Sequence, residues 1–244
     1  MGSRKEILFM DFLPVNYCIS PSHARGGLHT RRACKADCGF ATDLYSIIKL
    51  TKGRYHMRVI AGTCRSMPLK TLPGRDTRPT TDRIKETLFN ILQNYIPGCR
   101  FLDLFAGSGA IGIEALSRGA VSACFVEQNR QAVSVIRDNL RFTKLYDRAE
   151  VLQMDVMSAI RGMEGKQAFD VVFMDPPYLK DLERDALGLL AHSSIVTPDT
   201  LFVVEASREN DFSWLDKSDY LCIKWKTYKT NEHLFLRFRD GEST

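Results

Sequence analysis

Asp175-Pro176-Pro177-Tyr178 is the tetrapeptide of this sequence whose residue types are best suited to chemistry. Two consecutive prolines hold the backbone stiff and extended. In that frame the Asp175 carboxylate and the Pro176 carbonyl become paired outward-facing acceptors, and Tyr178 offers a flat ring for stacking on a base. An exocyclic amino group is a poor nucleophile because its lone pair is delocalised into the ring that bears it. Accepting both of its hydrogens draws the nitrogen toward tetrahedral geometry and frees that pair for in-line attack on a methyl carbon. Positioning and electrostatic alignment carry such a reaction without a covalent enzyme intermediate. The same four residues could also be a plain turn, so their place in the fold decides their meaning.

A second constellation lies upstream. Asp103, Phe105, Ala106, Gly107, Ser108 and Gly109 form a strand running into a glycine-rich turn, and Gly107 to Gly112 fits G-x-G-x-x-G. Glu127 follows Gly107 by 20 residues, at the end of the next predicted strand, where a carboxylate accepts from ribose hydroxyls. Alone this reads as a nicotinamide dinucleotide site. Asp103, however, precedes the glycines where it would repel a pyrophosphate and welcome a cation, and Asp155 closes the third strand, placed to meet an adenine amino group. Three carboxylates at successive strand ends suit S-adenosylmethionine, which is cationic at its sulfonium and ammonium groups and carries no phosphate.

These groups need a frame, and the pattern from Met57 onward supplies one. Arg58–Ala61 and Pro68–Leu72 read as strands of a hairpin around Gly62–Ser66. Residues 74–79 read as a loop, and Thr81 or Asp82 caps a helix with Ile84, Leu88, Ile91 and Leu92 on one face. Strands at Arg100–Phe105, Ser122–Glu127, Glu150–Gln153, Phe169–Met174 and Leu201–Glu205 alternate with helices at Gly109–Arg118, Asn129–Lys144, Val156–Met163 and Asp181–Ala191. Tyr220–Lys226 and His233–Phe238 read as a closing antiparallel pair. The fold class is therefore α/β: a doubly wound, mostly parallel, seven-stranded Rossmann-like sheet preceded by an N-terminal β-hairpin, with ligands at the carboxyl ends of its strands.

The expected organisation is an N-terminal extension over residues 1–56, poorly ordered, and a catalytic domain over 57–244. Within that domain the basic hairpin spans 57–74 and the core 100–238. At 244 residues, 44% hydrophobic and 26% charged, the chain is ample for a packed core, and disorder throughout is excluded. No apolar run approaches the roughly 20 residues that cross a bilayer, and the N-terminus does not read as a signal peptide. Seven scattered cysteines without framework spacing suit reduced thiols in a cytoplasm. Cys34 and Cys38, near His23 and His29, match no paired-ligand spacing, so no metal is expected.

Charge divides the chain. Residues 1–56 carry 9 basic and 4 acidic side chains, 57–100 carry 8 and 3, and 101–244 carry 17 and 22. A basic first part on an acidic body points to a polyanion partner. Arg58, Arg65, Lys70, Arg75, Arg78, Arg83 and Lys85 form a strip able to track phosphates.

Residues 57 to about 238 resemble the RsmD family of 16S rRNA guanine-N2 methyltransferases. The segments that carry the resemblance are Met57 to Gly62, Arg78 to Glu86, Leu102 to Gly109, Glu114 to Ala120 and Asp175 to Tyr178. The resemblance implies methylation of the guanine numbered 966 in that family's name, on 16S rRNA or an assembling small subunit; a monomer is expected, though the sequence itself leaves the oligomeric state open. It also implies that Arg78, Pro79 and Thr80 lie beside the cofactor and target pocket. The sequence departs from the family in its first 56 residues and in Cys64-Arg65-Ser66-Met67, where a more basic run is usual. The alternatives are an adenine-N6 DNA methyltransferase, a non-catalytic RNA-binding assembly factor and a dehydrogenase. The first lacks a segment large enough for DNA target recognition, and intact Asp175 and Tyr178 argue against the second.

Overall fold

The computed structural model describes residues 57–72, 82–177 and 181–239. The expected extension over 1–56, Arg75, Arg78, Pro79, Thr80 and Tyr178 lie outside the described residues. β1 (Met57–Arg58) and β2 (Pro68–Leu69) pair antiparallel, and α1 (Asp82–Ile91) follows. β3 (Arg100–Asp103), α2 (Ala110–Ser117), β4 (Ser122–Val126), α3 (Arg130–Phe142) and β5 (Ala149–Leu152) then wind outward. α4 (Val156–Gly162) returns the chain to the other side of β3, where β6 (Val171–Met174), α5 (Leu182–Leu190) and β7 (Leu201–Ser207) continue the sheet. β8 (Tyr220–Thr227) and β9 (Asn231–Phe238) complete the order β5-β4-β3-β6-β7-β9-β8. The five strands from β5 to β7 are parallel, β9 is antiparallel to β7, and β8 takes the edge.

Each strand feeds two cores because successive side chains point to opposite faces. Phe101, Val171, Val203 and Phe235 meet Leu88 and Phe89 of α1, Ile113 of α2 and Ile136 of α3 on one side. Leu102, Val172, Phe202 and Leu236 meet Ile160 of α4 and Leu187 of α5 on the other. Burial on both faces explains why Val171 to Met174 is continuously apolar rather than alternating. The third glycine of the G-x-G-x-x-G stretch belongs to this packing. A Cβ at Gly112 would stand 2.3 Å from Phe125 Cε1, so only glycine lets α2 lie this close to β4.

The expected alternation of strands and helices is observed, with ends moved by local chemistry. β1 stops at Arg58 rather than Ala61 because the Ile60 and Ala61 N–H groups turn away from the hairpin partner. They donate instead to the carboxylate of Glu114 on α2, at 2.8 and 3.0 Å. That carboxylate is fully buried, and it also accepts from Arg118 Nε at 2.7 Å. Lys85 is a correction to the basic strip. Only 2% exposed, it lies 3.4 Å from Glu114 and donates to the Arg58 carbonyl at 2.6 Å. Burial lowers its pKa, Glu114 opposes that shift, and its charge ties α1 to the hairpin instead of facing solvent.

Candidate active site

The chain reverses its winding direction between β3 and β6, the position at which open α/β sheets bind ligands. A cavity of about 670 Å³ opens there, of the size that encloses a cofactor-sized molecule. The ends of β3, β4, β5, β6, β7 and β9 all contribute to its wall.

On one side the glycine turn forms the lining. Gly107 and Gly109 both take positive φ, at 54° and 78°, and Asp103, Phe105, Ala106, Gly107 and Ser108 border the cavity. Gly109 ends the turn as the residue before α2. Glu127, at the end of β4, accepts from Gly107 N at 2.9 Å through one oxygen and from Asn129 N at 2.7 Å through the other. A carboxylate has about four acceptor positions, so it keeps capacity for further donors. Asp103 is 1% exposed and accepts from Gly112 N at 3.2 Å. Burial, reinforced by the charge of Glu127, pushes its pKa up to about 7. Asp155 also borders the cavity, and as the cap of α4 it accepts from Ser158 N at 2.9 Å. These bonds hold its pKa below the usual carboxylate range.

On the other side, Asp175, Pro176 and Pro177 leave β6 and reach the same cavity. Asp175 is half-buried and Pro176 buried. Desolvation, then the charge of Glu205, then that of Asp103 raise the Asp175 pKa well above the carboxylate value. Glu205 is a wall residue that the sequence reading did not single out. It is held by Asn231 Nδ2 at 2.6 Å and by His233 Nε2 at 3.1 Å, and Asn231 also borders the cavity. Its signal was present: the strand expected at Leu201–Glu205 ends on it, as other expected strands end near Asp103, Glu127 and Asp175. Asn231 carried no such signal, because its place depends on β9 inserting between β7 and β8.

Five carboxylates, those of Asp103, Glu127, Asp155, Asp175 and Glu205, therefore share this wall. Its one cation among the described residues is Lys85, already committed to Glu114 and to the Arg58 carbonyl. Such a cavity favours a cation and disfavours a pyrophosphate.

Two members of the strip expected to meet phosphates are already paired with acids. Arg58 is paired with Asp82 at 2.8 Å and Lys70 with Asp138 at 2.9 Å, both at the surface. Exposed pairs of this kind are worth under about 1 kcal/mol and open readily to a competing anion. Arg65 and Arg83 are exposed. No cluster of three His, Cys, Asp or Glu among the described residues is arranged to hold a metal ion.

The comparisons with known proteins cover the same span. A family model described as conserved hypothetical protein 95 matches residues 57–236. Ribosomal RNA small subunit methyltransferase D of Haemophilus influenzae is 36% identical over 181 residues, covering 74% of this chain and 93% of that protein. The protein of the same name from Escherichia coli is 36% identical over 191 residues, covering 78% and 95%. The solved structure of Escherichia coli yhhF is similar at a TM-score of 0.65 and 32% identity, covering 75% of this chain and 98% of that one.

Proposed function

The chain belongs to the RsmD family, and from that membership we propose an S-adenosylmethionine-dependent transferase that methylates the exocyclic N2 amino group of a guanine in 16S rRNA, free or in an assembling small subunit. The observation that carries this reading is the meeting of the glycine turn and the acidic-proline corner in one anionic cavity. The residues fit the cofactor: buried Asp103 suits its cationic methionine end, Glu127 its ribose hydroxyls and Asp155 its adenine edge. Phe105, Ala106, Gly107, Ser108 and Gly109 would form its cradle, with Arg78, Pro79 and Thr80 beside it. When bound, S-adenosylmethionine supplies a methyl carbon activated by its sulfonium charge.

The protein's own part is to hold and neutralise. Asp175 and the Pro176 carbonyl accept the two amino hydrogens of the target base, and Tyr178 supplies a stacking surface. Pro177 keeps the corner from relaxing. A cation in the cavity stabilises the ionised form of Asp175 against the charges of Glu205 and Asp103. Once the nitrogen has acquired its fourth bond it must shed a proton. A carboxylate whose proton affinity has been raised by burial is well matched to take it. Reaching a guanine in folded RNA requires a splayed or flipped base, and Arg58, Arg65, Lys70, Arg75 and Arg83 are the candidates for holding its backbone.

The test is to incubate the protein with S-adenosylmethionine carrying a labelled methyl group and with ribosomal RNA or assembling subunits that lack the mark, then map the product by mass spectrometry. One N2-methylguanosine in 16S rRNA is the expected product. Label on adenine N6, or on DNA in preference to RNA, would overturn the assignment.

A further inference from the structure

The acidic body of the chain contains one stretch of opposite character. Of the 17 basic residues in 101–244, five fall within the 20 residues from Tyr220 to Arg239, which include a single acid, Glu232. Arg237 lies over the ring of Tyr95 and Arg239 donates to backbone carbonyls. Lys224, Lys226 and Lys229 are exposed, and none has an acidic partner among the described residues. This contrasts with Arg58 and Lys70, each held by an aspartate.

Topology sets these lysines beside the reaction centre. β7 runs parallel to the strands whose carboxyl ends wall the cavity, β9 is antiparallel to it, and β8 reverses again. The β8–β9 turn therefore lies at the cavity end of the sheet, and Thr230 and Asn231 border the cavity itself. Glu205 pairs with His233, and His233 with Lys226, while Asp175 follows the Met174 that pairs with Val204. Asp175, Glu205, His233 and Lys226 thus form one row across four strands, and three inter-strand steps span about 14 Å. Lys224 shares the face of Lys226. The hairpin is firm: Trp225 on the opposite face donates to Glu232 at 2.9 Å and meets Phe212 edge-on at 5.7 Å.

We propose that the β8–β9 hairpin is an RNA-holding surface, with Lys224, Lys226 and Lys229 contacting phosphates that flank the nucleotide at Asp175. The inference rests on the RNA methyltransferase reading, since it supposes RNA across the mouth of that cavity. It assigns the strongest phosphate grip to this hairpin rather than to the predicted basic strip.

The test compares the full chain with a triple variant, Lys224→Ala, Lys226→Ala and Lys229→Ala, in binding a 16S rRNA fragment between 50 and 200 mM salt, two concentrations across which phosphate contacts are strongly attenuated. The variant should bind more weakly, and its log–log salt slope should be shallower by about 0.7 per lysine, roughly 2 in all. Its S-adenosylmethionine affinity and melting temperature should match the parent, separating lost contacts from lost folding. If the parent binds and methylates RNA while the variant keeps its affinity and slope, the hairpin is refuted and the enzymatic reading stands. A parent chain that binds no RNA refutes both.

Discussion

The two sides of the cavity are built on opposite principles. Along β3, β4 and β5 the acids are satisfied by backbone: Asp103 by Gly112 N–H, Glu127 by Gly107 and Asn129, Asp155 by Ser158. Along β6, β7 and β9 the polar groups lean on side chains: Glu205 is held by Asn231 and His233, and its charge in turn presses on Asp175. Among the described residues, the charges acting on Asp175 are those of Glu205 and Asp103, and Asn231 Oδ1, His233 Nδ1 and Tyr228 OH are buried without a hydrogen-bond partner. A buried polar atom left unpaired costs about 1–3 kcal/mol. The first side is a finished mould, suited to a cofactor of constant shape. The second holds acceptor capacity in reserve, suited to a base that arrives, reacts and leaves.

Replacing Asp175 should break this division most sharply. Asp175→Ala should slow methyl transfer by about two to four orders of magnitude while cofactor affinity changes only a few-fold. Single-turnover rates with labelled methyl, set beside calorimetric binding, separate the two effects. Loss of affinity with an intact rate would reverse the roles assigned to the two sides. Glu127→Ala is the converse case, since it removes the tie to Gly107 together with the proposed ribose acceptor. S-adenosylmethionine should bind about 10- to 100-fold more weakly, the equivalent of 1–3 kcal/mol, with the rate at saturation little altered. A lower saturating rate at unchanged affinity would move Glu127 out of the mould.

The smallest effect is in pH. Burial raises the Asp103 pKa to about 7 in the folded chain from 3.8. Its contribution to the stability of the ligand-free protein is therefore complete below about pH 4 and is lost as the pH climbs through 7. A cationic ligand favours the ionised form, so cofactor affinity should rise from pH 6 to pH 8 and binding should release protons. Calorimetry in two buffers of different ionisation enthalpy measures both quantities, and Asp103→Asn should flatten them. An equally steep dependence in that variant would assign the titration to another group.

Much of this arrangement was readable beforehand, for identifiable reasons. Strand-to-helix alternation and the positions of Asp103, Glu127 and Asp175 at strand ends follow from local periodicity, which one-dimensional patterns record well; Asp155, expected to close the third strand, instead lies beyond its end at Leu152 and caps α4. Contacts between distant segments were not readable. Lys85 looked like one more surface cation because nothing near it in sequence reveals Glu114, 29 positions on and fully buried. The same carboxylate ended β1 early by taking the N–H groups of Ile60 and Ala61. Asn231 and the lysines of β8 escaped notice because the final pair of strands could have joined the sheet in either order. Only the inserted position of β9 brings their turn to the cavity.

The junction of the hairpin loop with α2 has a further consequence. A Cβ at Gly62 would stand 1.9 Å from the Ser117 carbonyl oxygen, in a backbone of φ 84°. Ser117 is also bonded to Ala61, Thr63 and Cys64. α2 begins at the glycine turn and ends at this weld, a strut of eight residues and about 12 Å. A pull on the loop is delivered, through a single stiff member, to the lip of the cofactor mould. Any side chain at position 62 must push the loop or the end of α2 aside, and the other end of α2 carries the glycine turn.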